Sequence, residues 1–159
     1  FASQNAFGAV GCKILRKDGT IDATGLILGG KDIVRQAHHG FPQDANGYFF
    51  RAGMIGNYSA ASWRTFATRK DVFESLGGFR ADEFPNVLFD VDLCLRLWQK
   101  GLRVLYTPYV VMQNTREWRR ELSSSEAAQL QKMWPLETAH DPFYNRNLSE
   151  DEDAFDIDA

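Results

Sequence analysis

The 159-residue sequence has only two cysteines, five prolines and three histidines. Cys12 and Cys94 lie far apart in apolar segments, with no CxxC and no Cys/His spacing suited to zinc. They read as free buried thiols, which favours a reducing compartment. No apolar run approaches the roughly 18 residues of a membrane span, and no stretch has the pattern of a signal peptide. There is no basic stripe of the kind that nucleic-acid binding needs. GxGxxG, a P-loop and a nucleophile elbow are all missing, so the sequence supports no glycine-rich phosphate cradle of its own.

What is present is an ordinary globular composition, 44% hydrophobic and 25% charged, slightly rich in aromatics at 13%. That length suffices for one domain with a real core. Net charge is −3, and six of the twenty-one acids crowd into "SEDEDAFDID" at the end. Residues 150–159 therefore read as a loosely held acidic tail behind a near-neutral or mildly basic body. The sequence opens on "FASQNAFGAVGCKIL", without Met and running straight into strand-like residues. That start reads as part of a longer chain.

Along the chain, small and β-branched residues predict a strand over about Gly8–Leu15, a turn at Asp18-Gly19, and a second strand in "IDATGLILGG". Residues 31–47 are polar with Gly, Pro and Asn, and read as a surface excursion. "NYSAASWRTFATR" is strand-like. "RKDVFESLGGF" is a short helix closed by Gly77-Gly78. After Pro85, Val91, Cys94, Leu95 and Trp98 form one apolar stripe, predicting a helix over about Phe89–Lys100. "LRVLYTP" reads as a strand ending at Pro108. Ser123 and Glu126 form a capping box that opens a helix stopped by Pro135. Alternating strands and helices favour a mixed α/β domain.

Asp90 and Asp92 are the chemically pointed residues. Two positions apart on a helix is about 200° around its axis, so they cannot share a face. Asp92 precedes Arg96 by four, the favourable order for an ion pair. Asp90 lies in the first turn, where the helix dipole keeps a carboxylate ionised. That suits a general base, and equally a structural helix-start acid. Its approach, "FPNVLF", is apolar, which favours a cleft over bulk water. Elsewhere bland readings prevail: His38-His39 as a surface loop, His140-Asp141 as a turn, and Trp98 and Trp134 as core. Trp63 and Trp118 remain able to stack on a sugar.

"GAVGCKILRKDGTIDATGLILG", followed by "NYSAASWRTFATRKDVFESLGGFRADEFPNVLFDVDLCLRLWQKGLRVLYTPY", resembles the C-terminal half of family-2 glycosyltransferases of the GT-A fold. The similarity is closest to bacterial enzymes that extend surface polysaccharides. "HDPFYNRNLS" is similar to the "DPYYNPNLS" segment of those enzymes. The resemblance covers about residues 8–149. It implies a partial GT-A-like mixed sheet with flanking helices, with residues 1–149 as the acceptor-side half of a catalytic domain.

The resemblance also implies a mechanism. Asp90 matches the general base that deprotonates an acceptor hydroxyl for inverting attack on a nucleotide-sugar. Asp92 and Arg96 match residues that support the site, and Trp63 and Phe89 would contact the glycan acceptor. A divalent cation, Mg or Mn, is expected, its main ligands in an N-terminal nucleotide-binding half with a DXD motif that this sequence lacks. Asn114 and Thr115 replace a His pair of the family. Asn114 could offer its carbonyl to a hard cation. Phe89 replaces the acid that precedes the base. The expected setting is cytoplasmic or peripheral to the inner membrane, with self-association of the fragment. A non-catalytic carbohydrate-binding or assembly module of the same fold is the alternative.

Overall fold

The computed structural model describes residues 3–116, 119–149 and 155. The acidic tail and Trp118 otherwise lie outside the described residues. β1 (Phe7–Leu15) is the hub of a mixed sheet. It pairs in parallel with β7 (Arg103–Gln113) on one side. On the other side it pairs with two short antiparallel strands, β2 (Ile21–Ala23) and β6 (Ala67–Thr68). β5 (Gly56–Asn57) flanks β7. β3 (Leu26–Leu28) and β4 (Val34–Gln36) form a separate two-stranded sheet. The expected mixed α/β architecture is present, with helices α1 (Lys70–Ser75), α2 (Phe89–Gln99), α3 (Ser124–Met133) and α4 (Pro135–Ala139).

Several local readings change. "IDATGLILGG" is two strands, because the chain leaves the main sheet at Thr24-Gly25 and joins the small one. Gly25 is required there: a Cβ would stand 2.4 Å from the Tyr58 ring. The 31–47 stretch is no surface excursion. It contains β4 and buries Val34, Arg35, Ala37 and His38. Burial first, then the positive charges of Arg51 and Lys13, pushes the His38 pKa down to about 4. The neutral ring pairs with the Thr24 hydroxyl at 2.9 Å and stacks on Phe155. Phe155 is itself buried. The 57–69 stretch is mostly turns and irregular chain, since only its two ends form strands and Ala60 adds a single bridge to Leu26 of β3.

β7 does not stop at Pro108. Its pairing with β1 jumps from Cys12↔Thr107 to Lys13↔Val111, so Pro108 sits in a bulge where no ladder hydrogen bond is asked of it. α2 ends as expected, with Gly101 at φ 74° behind it. Its burial extends beyond the one apolar stripe. Val91, Leu93, Cys94, Leu95 and Leu97 are buried, and so are Asp90, Asp92 and Arg96. The sheet packs on one flank, and the Leu76–Phe84 turn and the Arg120–Trp134 segment close the rest. Each fully buried leucine contributes about 1.5–3 kcal/mol. The charges are tolerated because each is paired.

At α3, Ser123 accepts from the Glu126 amide as a cap should. The Glu126 carboxylate does not return to the Ser123 amide. It accepts from the backbone N–H groups of Asn86 and Val87 and from the Asn86 side chain, pinning the approach to α2. Pro135 ends α3 and opens α4 at once, the helix position where its missing N–H costs least. Cys12 and Cys94 are free and buried.

Candidate functional site

Asp90 opens α2 with its side chain fully enclosed. Its Oδ1 accepts from the Val91 amide at 2.8 Å and from Arg120 Nη1 at 2.9 Å. Its Oδ2 accepts from the Trp63 amide at 3.0 Å and from Arg120 Nη2 at 2.6 Å. Arg120 thus grips the carboxylate bidentately, the strongest geometry for this pair, and also donates to the Val87 carbonyl. Sequence reasoning missed Arg120. It lies 30 residues away, and nothing in its local pattern marks its partner.

An aromatic wall adjoins this carboxylate. Trp63, 43% exposed, lies 6.0 Å from the Phe89 ring, which meets Phe79 edge-on at 4.9 Å. The fold therefore brings Trp63, Phe89 and Asp90 together. An exposed indole can stack on an apolar sugar face, while the carboxylate beside it is covered by Arg120.

Asp92 points elsewhere, as the 200° rotation requires. Its Oδ2 accepts from Arg96 Nε at 2.8 Å, and its Oδ1 accepts from Arg80 Nη1 and Trp134 Nε1, each at 3.2 Å. Arg96 uses its other nitrogens on the carbonyls of Leu76 and Gly78. The pair ties the glycine turn after α1 to α2, and Trp134 adds α3 to the knot.

Asn114 lies in a different cluster. Its amide donates to Asp22 Oδ2 at 2.8 Å, and Arg64 meets the same oxygen at 2.5 Å. Gln36 donates to Asp22 Oδ1 at 2.9 Å. Asp22 is 2% exposed and already balanced by a guanidinium. Among the described residues no three His, Cys, Asp or Glu side chains converge to hold a metal. The Asp22–Asn114 donor set thus does not fit a divalent cation on its own. A cavity of about 390 Å³ opens beside it, lined by Arg16, Lys17, Arg116 and Arg119, by the acids Asp18 and Asp22, and by His39 and Asn114. Four cations face two acids there, Asp18 beside Arg16 and Asp22 held by Arg64, and the net positive charge suits an anion. Their signal was present in "LRKDG" and "TREWRR", but two runs about a hundred residues apart show no convergence in a linear reading.

Comparison with known proteins bears on this site. The chain is 30% identical to the O-antigen biosynthesis protein RfbC of Myxococcus xanthus over 159 aligned residues, covering 93% of this chain and 12% of that protein. It is 27% identical to the uncharacterized protein y4gI of Sinorhizobium fredii, covering 93% of this chain and 17% of that protein. The chain therefore spans less than a fifth of the length of the curated relatives it matches. No family model matches, and no solved structure matches. What the comparisons support is a distant similarity to a polysaccharide-biosynthesis protein. Among the described residues no helix is long and apolar enough to cross a membrane.

Proposed function

We propose that this chain is the acceptor-side, base-carrying part of an inverting glycosyltransferase that builds a surface polysaccharide. The observation that carries the reading is Asp90. It is a carboxylate aimed by two backbone N–H groups, at the start of α2, beside the exposed Trp63 and its neighbour Phe89. The similarity to RfbC supports the substrate class. In the reaction, Asp90 takes the proton of an acceptor hydroxyl. The freed oxygen attacks the anomeric carbon of a nucleotide-sugar from the opposite face. The bond to the nucleotide diphosphate breaks, and its electron pair leaves with the diphosphate. Asp92 and Arg96 hold α2 in place as positioning residues. The cationic hollow beside Asn114 receives phosphate oxygens of the donor. The rest of the donor site, with the ligands of any divalent cation, belongs to residues outside this chain, so the isolated chain does not turn over.

The test is Asp90→Asn in the full-length protein, assayed for sugar transfer and separately for nucleotide-sugar binding. Transfer falls by about 10²-fold or more, as for loss of a general base, while donor binding persists. Retained transfer removes Asp90 as base. A second reading, a non-catalytic carbohydrate-binding module, is favoured by one observation, the enclosure of Asp90 under Arg120. It predicts glycan binding without transfer in the wild-type full-length protein.

A further inference from the structure

The hydrogen-bond count at Asp90 conflicts with a base at rest. A carboxylate oxygen accepts about two hydrogen bonds in its plane. Oδ1 already accepts from the Val91 amide and Arg120 Nη1, and Oδ2 from the Trp63 amide and Arg120 Nη2. Both oxygens are full, and the Asp90 and Arg120 side chains are 0% and 4% exposed. A hydroxyl has no lone pair to approach. Remove Arg120 alone and each oxygen keeps one aiming N–H and regains one open lone pair.

Arg120 follows Arg119, which lines the cationic hollow with Arg16, Lys17 and Arg116. Arg119 also lines a groove with Val87, whose carbonyl accepts from Arg120. Arg119 lines both spaces, and Val87 of the groove holds Arg120, so the link from hollow to latch runs through Arg119 and Val87, while Arg120 itself is not among the residues lining either space. A phosphate oxyanion offers a guanidinium the same bidentate fork as a carboxylate, with more charge.

We propose that Arg120 is an autoinhibitory latch on Asp90, released when a diphosphate in the adjacent arginine-lined hollow takes over its guanidinium. The proposal rests on the reading of Asp90 as base. It makes proton abstraction conditional on an occupied donor side, so the carboxylate is exposed to a hydroxyl only when a phosphorylated ligand is present.

The test is carbodiimide-driven coupling of glycinamide to the carboxylates of this chain, read by peptide mass spectrometry with and without inorganic pyrophosphate. Rates are normalised to Asp71, whose side chain is 78% exposed. Without pyrophosphate, Asp90 couples about tenfold or more slowly than Asp71, as for a group reached only by local opening. Pyrophosphate raises the Asp90 rate several-fold. Arg120→Gln couples fast with or without it. Where Arg120→Gln loses its fold by circular dichroism, Arg120→Lys serves: it keeps the charge, loses the fork and couples at an intermediate rate. An Asp90 rate unmoved by pyrophosphate overturns the latch, as does an unlatched variant that couples as slowly as wild type. Coupling does not depend on turnover. Failure here removes the latch alone, whereas retained transfer in Asp90→Asn removes the base.

Discussion

At the scale of single residues, three buried acids near α2 have three different tasks because their partners differ. Asp90 is aimed by backbone amides and covered by Arg120, Asp92 is clamped between elements, and Glu126 pins a loop. Burial alone would raise the Glu126 pKa. Hydrogen bonds from the Asn86 backbone and side chain, the Val87 amide and Ser123 outweigh it and hold the carboxyl below its ordinary value. A depressed folded pKa contributes stability that is complete above the unfolded value of about 4.3 and is lost as pH falls through the folded value. Compared with wild type, Glu126→Gln is therefore destabilised at pH 6, and the gap shrinks as pH drops toward 3. Urea melts across that range check this. A gap independent of pH would show that the carboxylate's charge is not what holds Asn86 and Val87.

At the scale of elements, α2 depends on its buried ion pair more than a surface helix would. Arg96 is 5% exposed, and three of its nitrogens are committed to Asp92, Leu76 and Gly78. Asp92→Ala leaves that guanidinium without its carboxylate and is expected to cost about 3–5 kcal/mol in urea unfolding. Asp92→Ala combined with Arg96→Met should recover part of the loss, because the stranded charge goes too. No recovery would mean that Arg80 and Trp134, not Arg96, are what Asp92 serves. The pair itself was legible in the sequence, as were β1, α1, α2 and α3. Local spacing encodes a helix stripe, a cap or an i,i+4 pair. What was not legible is built from distance. β3 and β4 are three residues each and exist because they pair with one another. β7 passes Pro108 only because β1 tolerates a bulge there. The burial of Asp90 and Asp92 on α2 depends on Arg120 and Trp134, which carry no local sign of where they will fold. The candidate site divides in the same way. Trp63, Phe89 and Asp90 were nameable from the chain, and the fold brings them together. The lid over Asp90 and the cationic hollow needed the fold to appear.

At the scale of the whole molecule, the sheet is open along β7. Beyond Tyr106 no described strand pairs with the outer edge of β7. Its side chains there are apolar and exposed: Tyr109 79%, Val110 51%, Val111 52% and Met112 49%. Folded proteins usually guard such an edge with charge, a covering element or very short length. Pro108 and its bulge guard only the first part, and the following four residues present exposed hydrophobic area along an edge that no described strand covers. The chain spans 17% of y4gI and 12% of RfbC, so those proteins hold many residues that have no counterpart in this chain. Produced alone, the 159-residue chain is expected to self-associate edge to edge as concentration rises. Val111→Lys places a charge on that edge while its neighbours in the core stay untouched. Sedimentation velocity should show a concentration-dependent shift to dimer or larger species for wild type, and a monomer for Val111→Lys at the same loading. A wild-type chain that stays monomeric would mean the edge is already shielded within these residues. A Val111→Lys chain that still associates would move the contact elsewhere, to the exposed Phe49, Phe50 and Met54 as the next apolar surface.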